Sequence, residues 1–383
     1  MRRIGLGTSA RSDMGCYLPL MRELATRRDL ELEIAATGTH LAPGFGLTVE
    51  EIEAAGFKVH HKLESLLSSD TPQGIGKSIG IGIIGFAQLF EKWRPDIVVV
   101  HGDRFDMLPT VLAALPYRIP IAHISGGDIT EGAVDDSIRH AITKLSHLHF
   151  VEAELHRRRV LQMGEEPWRV KVCGALTLDN IRQIKLMDET EFEHSFGIKP
   201  GERFLLVTFH AVTLEPEHIA EHVAELVAAL DQTGMSCVFT YPSADTGSQQ
   251  IISAINSYCG RNSGCRLVVS AGYRGYLSLM ARAVAMVGNS SSGIVEGASF
   301  NLAAVNIGDR QRGRIRPPNV IDCAPARTAI LTAVQKAIST EFRESFKGLR
   351  NPYGDGHAAG RVVQTLAEVE ISPRLIWKRF QEI

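Results

Sequence analysis

The chain has 383 residues, of which 44% are hydrophobic and 22% are charged, and its formal net charge at pH 7 is -2. This length exceeds one ordinary core and predicts two domains, and the composition excludes a disordered chain. Because the net charge is near zero, the protein has no overall positive potential, and we expect neither a nucleic-acid partner nor binding to a membrane surface. An anionic ligand would have to be held by local groups.

The cysteines are scattered and form no C-x-x-C pair. This spacing is typical of reduced thiols in a cytoplasmic protein and gives no reason to expect a metal site. No convincing signal peptide follows Met1. The apolar run at 79–90 is shorter than the roughly 20 residues that cross a bilayer, so it is predicted as a buried helix.

Strands and helices are predicted to alternate along the first half of the chain, with strands at 4–7, 32–38, 97–100, 119–124 and 147–153. Such alternation predicts a doubly wound parallel sheet. The polar segment at 188–203 interrupts the pattern, and a second alternation follows it. We therefore predict an N-terminal Rossmann-like domain over 1–187, a C-terminal one over 188–365, and a final helix at 366–383 that returns to the first domain.

Polar side chains are dense in two loops that follow neighbouring predicted strands of the first half. The first loop contains His101, Asp103 and Arg104, and the second contains Asp128, Glu131 and Asp135. In open parallel sheets, ligands bind outside the carboxyl ends of the strands, and loops held by a rigid sheet usually carry the chemistry. Two loops with this many ionisable groups indicate an enzyme.

In the second half, the motif GNSSSGIVEGAS follows a predicted strand and opens a predicted helix. Backbone N–H groups at a helix start, with the hydroxyls of Ser290 and Ser291, form an anion cradle that suits a diphosphate. Glu296 is placed to bind a ribose diol. A Ser/Gly helix cap is the alternative interpretation of this motif taken alone. Arg310 follows in NIGDRQRGR and can neutralise phosphate charge, which favours a nucleotide.

His210 is predicted at the carboxyl end of the first strand of the second half, where it would face a ligand. A single histidine is more often structural than catalytic, but this location favours a role in the site. His218 and His222 are four residues apart on the next predicted helix. The acidic residues around them favour a solvated helix face over a metal site.

Taken together, these segments resemble the hydrolysing UDP-N-acetylglucosamine 2-epimerases of sialic and legionaminic acid biosynthesis. The resemblance rests on HGDRFD, HISGGDITEGAVDDSIRHAITKLSHLHF, FHAVTLE, GYRGYLSLM, GNSSSGIVE and NIGDRQRGR, and it covers nearly the whole chain. It implies an α/β, GT-B-like architecture in which two Rossmann-like doubly wound domains face a central cleft. It also implies a UDP-sugar ligand, no cofactor, a cytoplasmic location, and a homodimer or homotetramer.

The resemblance also implies a reaction. Members of this family cleave UDP from a UDP-2-acetamido sugar while inverting carbon 2, by anti elimination to a glycal and addition of water. UDP-N-acetylglucosamine would give N-acetylmannosamine and UDP, and UDP-N,N'-diacetylbacillosamine, which leads to legionaminic acid, is the alternative substrate. Two proton-transfer groups on opposite faces of the sugar are then required.

Carried over residue by residue, the nucleotide contacts of the family fall on Arg11, Gly15, Arg104, His210, Ser290, Ser291, Glu296 and Arg310. The catalytic acids fall on Asp103 and Asp135, and His210 is a further candidate for proton transfer. A third family acid, a glutamate in the segment usually written HIEGG, is Ser125 here. The following loop is one residue longer, and we hypothesise that Asp128 or Glu131 supplies the missing carboxylate.

Three other functions compete with this one. A GT-B glycosyltransferase would share the fold and the nucleotide cradle, but it would not need so many carboxylates beside carbon 2. A non-hydrolysing epimerase is nearer, and the long HGDRFD and ITEGAVDDSIRHAITK matches disfavour it. A non-catalytic nucleotide-sugar sensor is a weaker third possibility.

Overall fold

The computed structural model describes residues 1–69, 71–131, 133–212, 214–242 and 247–382. The chain folds into two compact units. The first unit comprises Met1–Asp128, Asp135–Arg182 and Tyr353–Ile383, and the second comprises Ile129–Val134 and Gln183–Pro352.

The described part of the first unit contains a seven-stranded parallel sheet with the order β3-β2-β1-β4-β5-β6-β7. Its strands are β1 (Arg2–Thr8), β2 (Leu30–Thr37), β3 (Val59–Leu63), β4 (Ile97–His101), β5 (Ile121–Ile124), β6 (Leu148–Val151) and β7 (Val170–Val172). The helices are α1 (Arg11–Ala25), α2 (Val49–Ala54), α3 (Pro72–Lys92), α4 (Leu108–Ala114), α5 (Asp135–Leu145), α6 (Glu154–Gln162) and α7 (Leu176–Gln183). In β4, Ile97 to Val100 are fully buried, as expected of a parallel strand covered on both faces.

The second unit repeats this plan with a six-stranded parallel sheet in the order β10-β9-β8-β11-β12-β13. Its strands are β8 (Phe204–Thr208), β9 (Ser236–Thr240), β10 (Cys265–Val268), β11 (Ala285–Gly288), β12 (Ala303–Ile307) and β13 (Val320–Cys323). The helices are α8 (Glu189–Phe196), α9 (Ile219–Thr233), α10 (Ser248–Arg261), α11 (Gly272–Arg282), α12 (Ser292–Val295), α13 (Arg327–Ile338) and α14 (Thr340–Ser345).

Each sheet reverses its strand order once, between β1 and β4 in the first unit and between β8 and β11 in the second. The crevice outside the carboxyl ends of such a strand pair is the usual ligand site of a doubly wound sheet. The segments that follow these four strand ends are therefore candidate parts of a ligand site.

The C-terminal helices α15 (Ala358–Glu368) and α16 (Pro373–Ile376) belong to the first unit. The carboxylate of Asp179 accepts the N–H groups of Ala358 and Ala359, at 2.8 and 2.7 Å, and so caps α15. The predicted domain boundary lies after residue 187, and the predicted return to the first domain begins at residue 366. In the structure the contacts divide after Arg182, and the return begins at Tyr353.

Two local expectations need correction. Cys259 and Cys265 form a disulfide, because the end of α10 and the start of β10 bring their sulfurs together, so the six cysteines are not all thiols. Helix α3 is not fully buried, since the Ile84 side chain is 63% exposed. The helix that GNSSSG opens, α12, is a single turn. Within the described part of the chain, no helix is long and apolar enough to span a membrane.

Candidate functional site

Asp13, in the first turn of α1, lies beside the end of β1. Its carboxylate is buried and accepts hydrogen bonds from the N–H groups of Ser9 and Ala10, at 2.7 and 3.1 Å. Burial alone would raise the pKa of Asp13, but the His101 imidazole and the Ser9 N–H outweigh it and lower that pKa to about 2. Asp13 is therefore a fixed anion at the reversal point of the first sheet.

His101, the last residue of β4, faces this anion across the reversal point. Its Nδ1 lies 3.9 Å from Asp13 Oδ1. Burial would lower the pKa of His101, but the neighbouring Cys16 and Asp13 side chains raise it to about 10. The imidazole therefore keeps both ring protons at neutral pH and can donate from both nitrogens.

Asp103 and Arg104 follow His101 and make different contacts. Asp103 forms an ion pair with the buried Arg139 of α5. The Nε of Arg104 donates to Asp106 Oδ1 at 3.2 Å. Since its side chain is 22% exposed and a guanidinium fixes its position, Asp103 is a carboxylate that solvent or a ligand can reach.

Three further predicted site residues lie on α5 and α1 of the first unit. Asp135 opens α5 and is half-buried, and Arg11 opens α1 and is also half-buried. Gly15 is buried inside α1, where its carbonyl accepts a hydrogen bond from the Asn180 side chain. The structure gives Gly15 a packing contact with α7, and its assignment to the nucleotide stays a prediction.

The two residues expected to replace the acid at Ser125 have different surroundings. Asp128 is buried in the first unit, with Oδ1 3.3 Å from Nε2 of His156. Glu131 is exposed and belongs to the second unit, where its carboxylate pairs with Arg312 at 3.1 Å. The N–H of Glu131 also donates to the Arg312 carbonyl.

In the second unit, the side chain of Asn289 ties the segments after β8 and β11 together. Its Oδ1 accepts the N–H of His210 at 2.7 Å, and its Nδ2 donates to the His210 carbonyl at 2.9 Å. The Asn289 carbonyl in turn accepts hydrogen bonds from Gln311 and Arg310, at 2.8 and 3.3 Å. The structure thus brings His210, Ser290 and Arg310 to one place.

Gly288 allows this close approach. Its φ is +139°, and a Cβ added there would collide with the Thr208 carbonyl oxygen, so only glycine fits. Ser290, Ser291 and Glu296 follow it and are half-buried. Because α12 is one turn long, an anion here would be held by the first N–H groups, the serine hydroxyls and Arg310 rather than by a long helix dipole.

Tyr276 and Arg274, both in the GYRGYLSLM segment, make different contacts. The Tyr276 hydroxyl lies beside the hydroxyls of Ser292, Thr208 and Ser290, and its burial raises its pKa. Arg274 instead binds Glu191 of α8 at 2.6 Å and the Lys185 carbonyl at 2.8 Å. Tyr276 is therefore part of the site at the end of β11, whereas Arg274 holds α8 to α11.

Comparison with known proteins decides the family. The UDP-N-acetylglucosamine 2-epimerase family model matches residues 22–367. The chain belongs to the hydrolysing branch of this family. A GDP/UDP-N,N'-diacetylbacillosamine 2-epimerase (hydrolyzing) of Campylobacter jejuni is 37% identical over 100% of this chain and 99% of that protein. A UDP-N,N'-diacetylbacillosamine 2-epimerase (hydrolyzing) of Legionella pneumophila is 34% identical over 99% of each.

The fold agrees with solved structures of this epimerase family. A crystal structure of UDP-GlcNAc 2-epimerase from Neisseria meningitidis bound to UDP-GlcNAc matches with a TM-score of 0.83. It is 19% identical and covers 96% of this chain and 100% of that chain. The predicted GT-B-like class, with two Rossmann-like parallel-sheet domains, is confirmed by this match and by the two strand orders.

Two further residues of the candidate site, Asn289 and Asp13, were not predicted from the sequence of this epimerase family member. Asn289 stands inside the GNSSSG motif, directly after β11, and its position at a strand end was the available signal. Asp13 lies five residues beyond the end of β1, in a βα turn that resembles an ordinary loop in the sequence. Among the described residues, no group of three or more His, Cys, Asp or Glu side chains could hold a metal ion.

Proposed function

We propose that this protein is a hydrolysing 2-epimerase that converts UDP-N,N'-diacetylbacillosamine to UDP and the free 2-epimeric sugar. The observation that carries the proposal is the full-length similarity to two relatives named for that substrate, at 37% and 34% identity. UDP-N-acetylglucosamine, which the sequence analysis put first, is the second candidate, because the family model bears its name. The name of the Campylobacter relative also includes GDP, so the test also compares UDP-linked with GDP-linked sugars.

The second unit is proposed to hold the nucleotide and to stabilise its departure. As the bond from carbon 1 to the diphosphate oxygen breaks, negative charge grows on the diphosphate. A guanidinium and preorganised N–H and O–H donors stabilise such charge. Arg310 and the hydroxyls of Ser290 and Ser291 supply these groups, and Glu296 is proposed to bind the ribose. The contacts of Asn289 support this assignment, since they hold the Arg310 side chain beside the serine loop.

The first unit is proposed to move the protons. A base takes the proton from carbon 2 while the electron pair of the bond at carbon 1 leaves with UDP, and a glycal forms. Water then adds at carbon 1 while an acid protonates carbon 2 from the opposite face. Asp103 and Asp135 are the proposed acid and base groups of this unit, and His210 of the second unit is a further proposed proton-transfer group.

The third carboxylate of the site is proposed to be Asp128 or Glu131. Burial beside His156 supports Asp128, because a buried carboxylate in contact with an imidazole suits proton transfer. Glu131 is exposed and already neutralised by Arg312. Arg11, Gly15 and Arg104 complete the proposed set of nucleotide contacts.

The test is to incubate the protein in deuterated water with each UDP-sugar, without an acceptor, and to follow products by NMR. We expect equimolar UDP and free sugar, inverted at carbon 2 and carrying one solvent deuterium there. We also expect a higher kcat/KM for UDP-N,N'-diacetylbacillosamine than for UDP-N-acetylglucosamine or for the GDP-linked sugar. Release of UDP only when an acceptor is added would identify a glycosyltransferase, and product without deuterium at carbon 2 would exclude the glycal route.

A further inference from the structure

Polar side chains form a continuous line along the carboxyl edge of the first sheet. His101 ends β4, Ser125 follows β5, and Glu152 follows β6. Because these strands are adjacent in the order β4-β5-β6, the residues after their ends are neighbours. Nε2 of His101 lies 3.2 Å from Oγ of Ser125, and that hydroxyl donates to Glu152 Oε1 at 2.8 Å.

The backbone at Ser125 holds this hydroxyl in place. Its φ is +66°, a left-handed conformation that is uncommon for a residue other than glycine and is concentrated at functional sites. The Ser125 N–H donates to the Phe150 carbonyl at 2.9 Å, which fixes the residue against β6. Two residues later, a Cβ at Gly127 would collide with the His156 carbonyl oxygen, so this loop packs directly against α6.

Glu152 is the unusual member of the line. Its side chain is 11% exposed, and its Oε2 is buried without a hydrogen-bond partner in the part of the chain that the structure describes. That oxygen lies 3.9 Å from Nδ1 of the buried His156, whose Nε2 lies 3.3 Å from Asp128. A buried polar atom without a partner costs free energy, and such atoms are few in folded proteins.

The protonation of His101 determines the direction of the hydrogen bonds. An imidazolium has an N–H on both nitrogens, so Nε2 can donate to Ser125 at 3.2 Å while Nδ1 faces the Asp13 carboxylate at 3.9 Å, an ion-pair distance. Ser125 can then accept from His101 and donate to Glu152 at the same time. The line therefore runs from His101, whose side chain is 18% exposed, to a carboxylate in the interior.

We propose that Glu152 is a positioning residue and proton acceptor for His101, acting through the Ser125 hydroxyl, during the reaction proposed above. In this step the Nε2 proton of His101 moves to Ser125 Oγ while the Ser125 proton moves to Glu152 Oε1. His101 becomes neutral, Ser125 is unchanged and Glu152 is protonated, and the reverse transfer restores the start. Where the family resemblance has an acid at position 125, this chain has a hydroxyl backed by a carboxylate from the next strand.

The central experiment compares Glu152→Gln with Glu154→Gln. The control makes the same chemical change two residues away, at a side chain that is 65% exposed. We expect Glu152→Gln to lower kcat on the order of 10²-fold, with KM within about twofold of the wild-type value. Glu154→Gln should match the wild-type protein in both constants.

The pH profile provides a readout that a purely structural role would not change. Removing the Glu152 anion takes away a charge that favours the imidazolium, so the limb of the kcat profile that reports His101 should move to lower pH. Titratable groups around His101 and Glu152 are Asp13, Cys16, Tyr17, His40, Asp106, His123, His156 and Asp128. They are identical in the two variants, so the difference between the profiles isolates Glu152.

Ser125→Ala is the second variant, because it breaks the link while both charged groups stay in place. It should reproduce the loss in kcat, and the exchange Ser125→Glu/Glu152→Ser should recover part of it. If either Glu152→Gln or Ser125→Ala folds and keeps the kcat and pH profile of Glu154→Gln, the proposal is wrong. Melting temperature and UDP affinity verify that each variant is folded.

Failure of the proposed function is recognised separately. If the wild-type protein releases no UDP from either sugar, that function is wrong. The link is then tested by titrating the His101 imidazole by NMR. Glu152→Gln should lower the pKa of His101 and Glu154→Gln should not, and equal values in both variants would overturn the link.

Discussion

At the scale of single residues, Asp13 and His101 stabilise each other's charge. Asp13 is buried and His101 is largely buried, so burial opposes the ionisation of both groups. The N–H groups of Ser9 and Ala10 complete the solvation of the carboxylate. The pKa values of Asp13 and His101 therefore differ between the folded and the unfolded chain.

These pKa differences predict how stability depends on pH. The pKa of His101 is raised from 6.5 to about 10, so its contribution is complete below 6.5 and is lost as the pH rises through 10. The pKa of Asp13 is lowered from 3.8 to about 2, so its contribution is present above 3.8 and is lost as the pH falls through 2. We expect the free energy of unfolding of the wild-type protein to fall more steeply than that of His101→Gln between pH 6.5 and 10.

Urea unfolding of both proteins at a series of pH values measures this difference, and the other titrating groups cancel in the comparison. Parallel curves across that window would show that His101 does not hold its proton in the folded state.

Some of these residues could be predicted from sequence and others could not. The strand end before His210 is visible in the chain, because the buried run FLLVT stops there. The contact between His210 and Asn289 spans 79 residues and depends on β8 lying next to β11, which no local pattern encodes. For the same reason Glu152 was missed, since its contact with Ser125 exists only because β6 neighbours β5.

At the scale of elements, Arg169 fastens the C-terminal segment to the first unit. This fully buried side chain donates to the carbonyls of Arg374, Leu375 and Trp377, at 2.8, 2.8 and 3.1 Å. It also pairs with Glu166 at 2.8 Å. One guanidinium thus satisfies the carbonyl groups at the end of the chain, where α16 is too short to do so itself.

We expect Arg169→Met to destabilise the protein by about 3–5 kcal/mol, because it removes one partner of a buried ion pair and leaves several carbonyls without donors. Urea unfolding measures the loss, and limited proteolysis should show earlier cleavage near the C-terminus. Arg158→Met, at an exposed position of α6, is the control and should change stability by less than about 0.5 kcal/mol. Equal stability of the two variants would show that Arg169 does not hold the C-terminal segment in place.

The alternation of elements was predictable because buried parallel strands are continuous apolar runs and the helices between them are amphipathic. The residue at which the chain returns to the first unit, Tyr353, was not predictable. The N–H of Ala175 donates to the Tyr353 carbonyl, and Asp179 caps α15, and both contacts join segments that are far apart in the chain. The helix start at α12 was visible in GNSSSG, but this motif carries no information on helix length.

At the scale of the whole molecule, one topology is used twice. Each sheet places its first and fourth strands side by side, and the residues proposed for function follow those two strands and the next strand of the sheet, β5 in the first unit and β12 in the second. The chemistry of the two edges differs, with carboxylates and a charged imidazole in the first unit and hydroxyls with Arg310 in the second. This difference favours a division of labour in which the carboxylates of the first unit transfer protons and the hydroxyls and Arg310 of the second unit hold the departing diphosphate.

The division of labour is testable by separating binding from turnover. Asp103→Asn should lower turnover about 10²- to 10⁴-fold while UDP still raises the melting temperature as it does for the wild-type protein. Arg310→Gln removes a charge-assisted hydrogen bond to the diphosphate, so it should weaken UDP binding by about 1.5–3 kcal/mol, roughly 10- to 150-fold. Calorimetric titration with UDP measures the binding affinity of both variants, and the rate of UDP release from the substrate measures turnover. If Asp103→Asn abolished UDP binding as well, the carboxylate would belong to the nucleotide site and the two edges would not act separately.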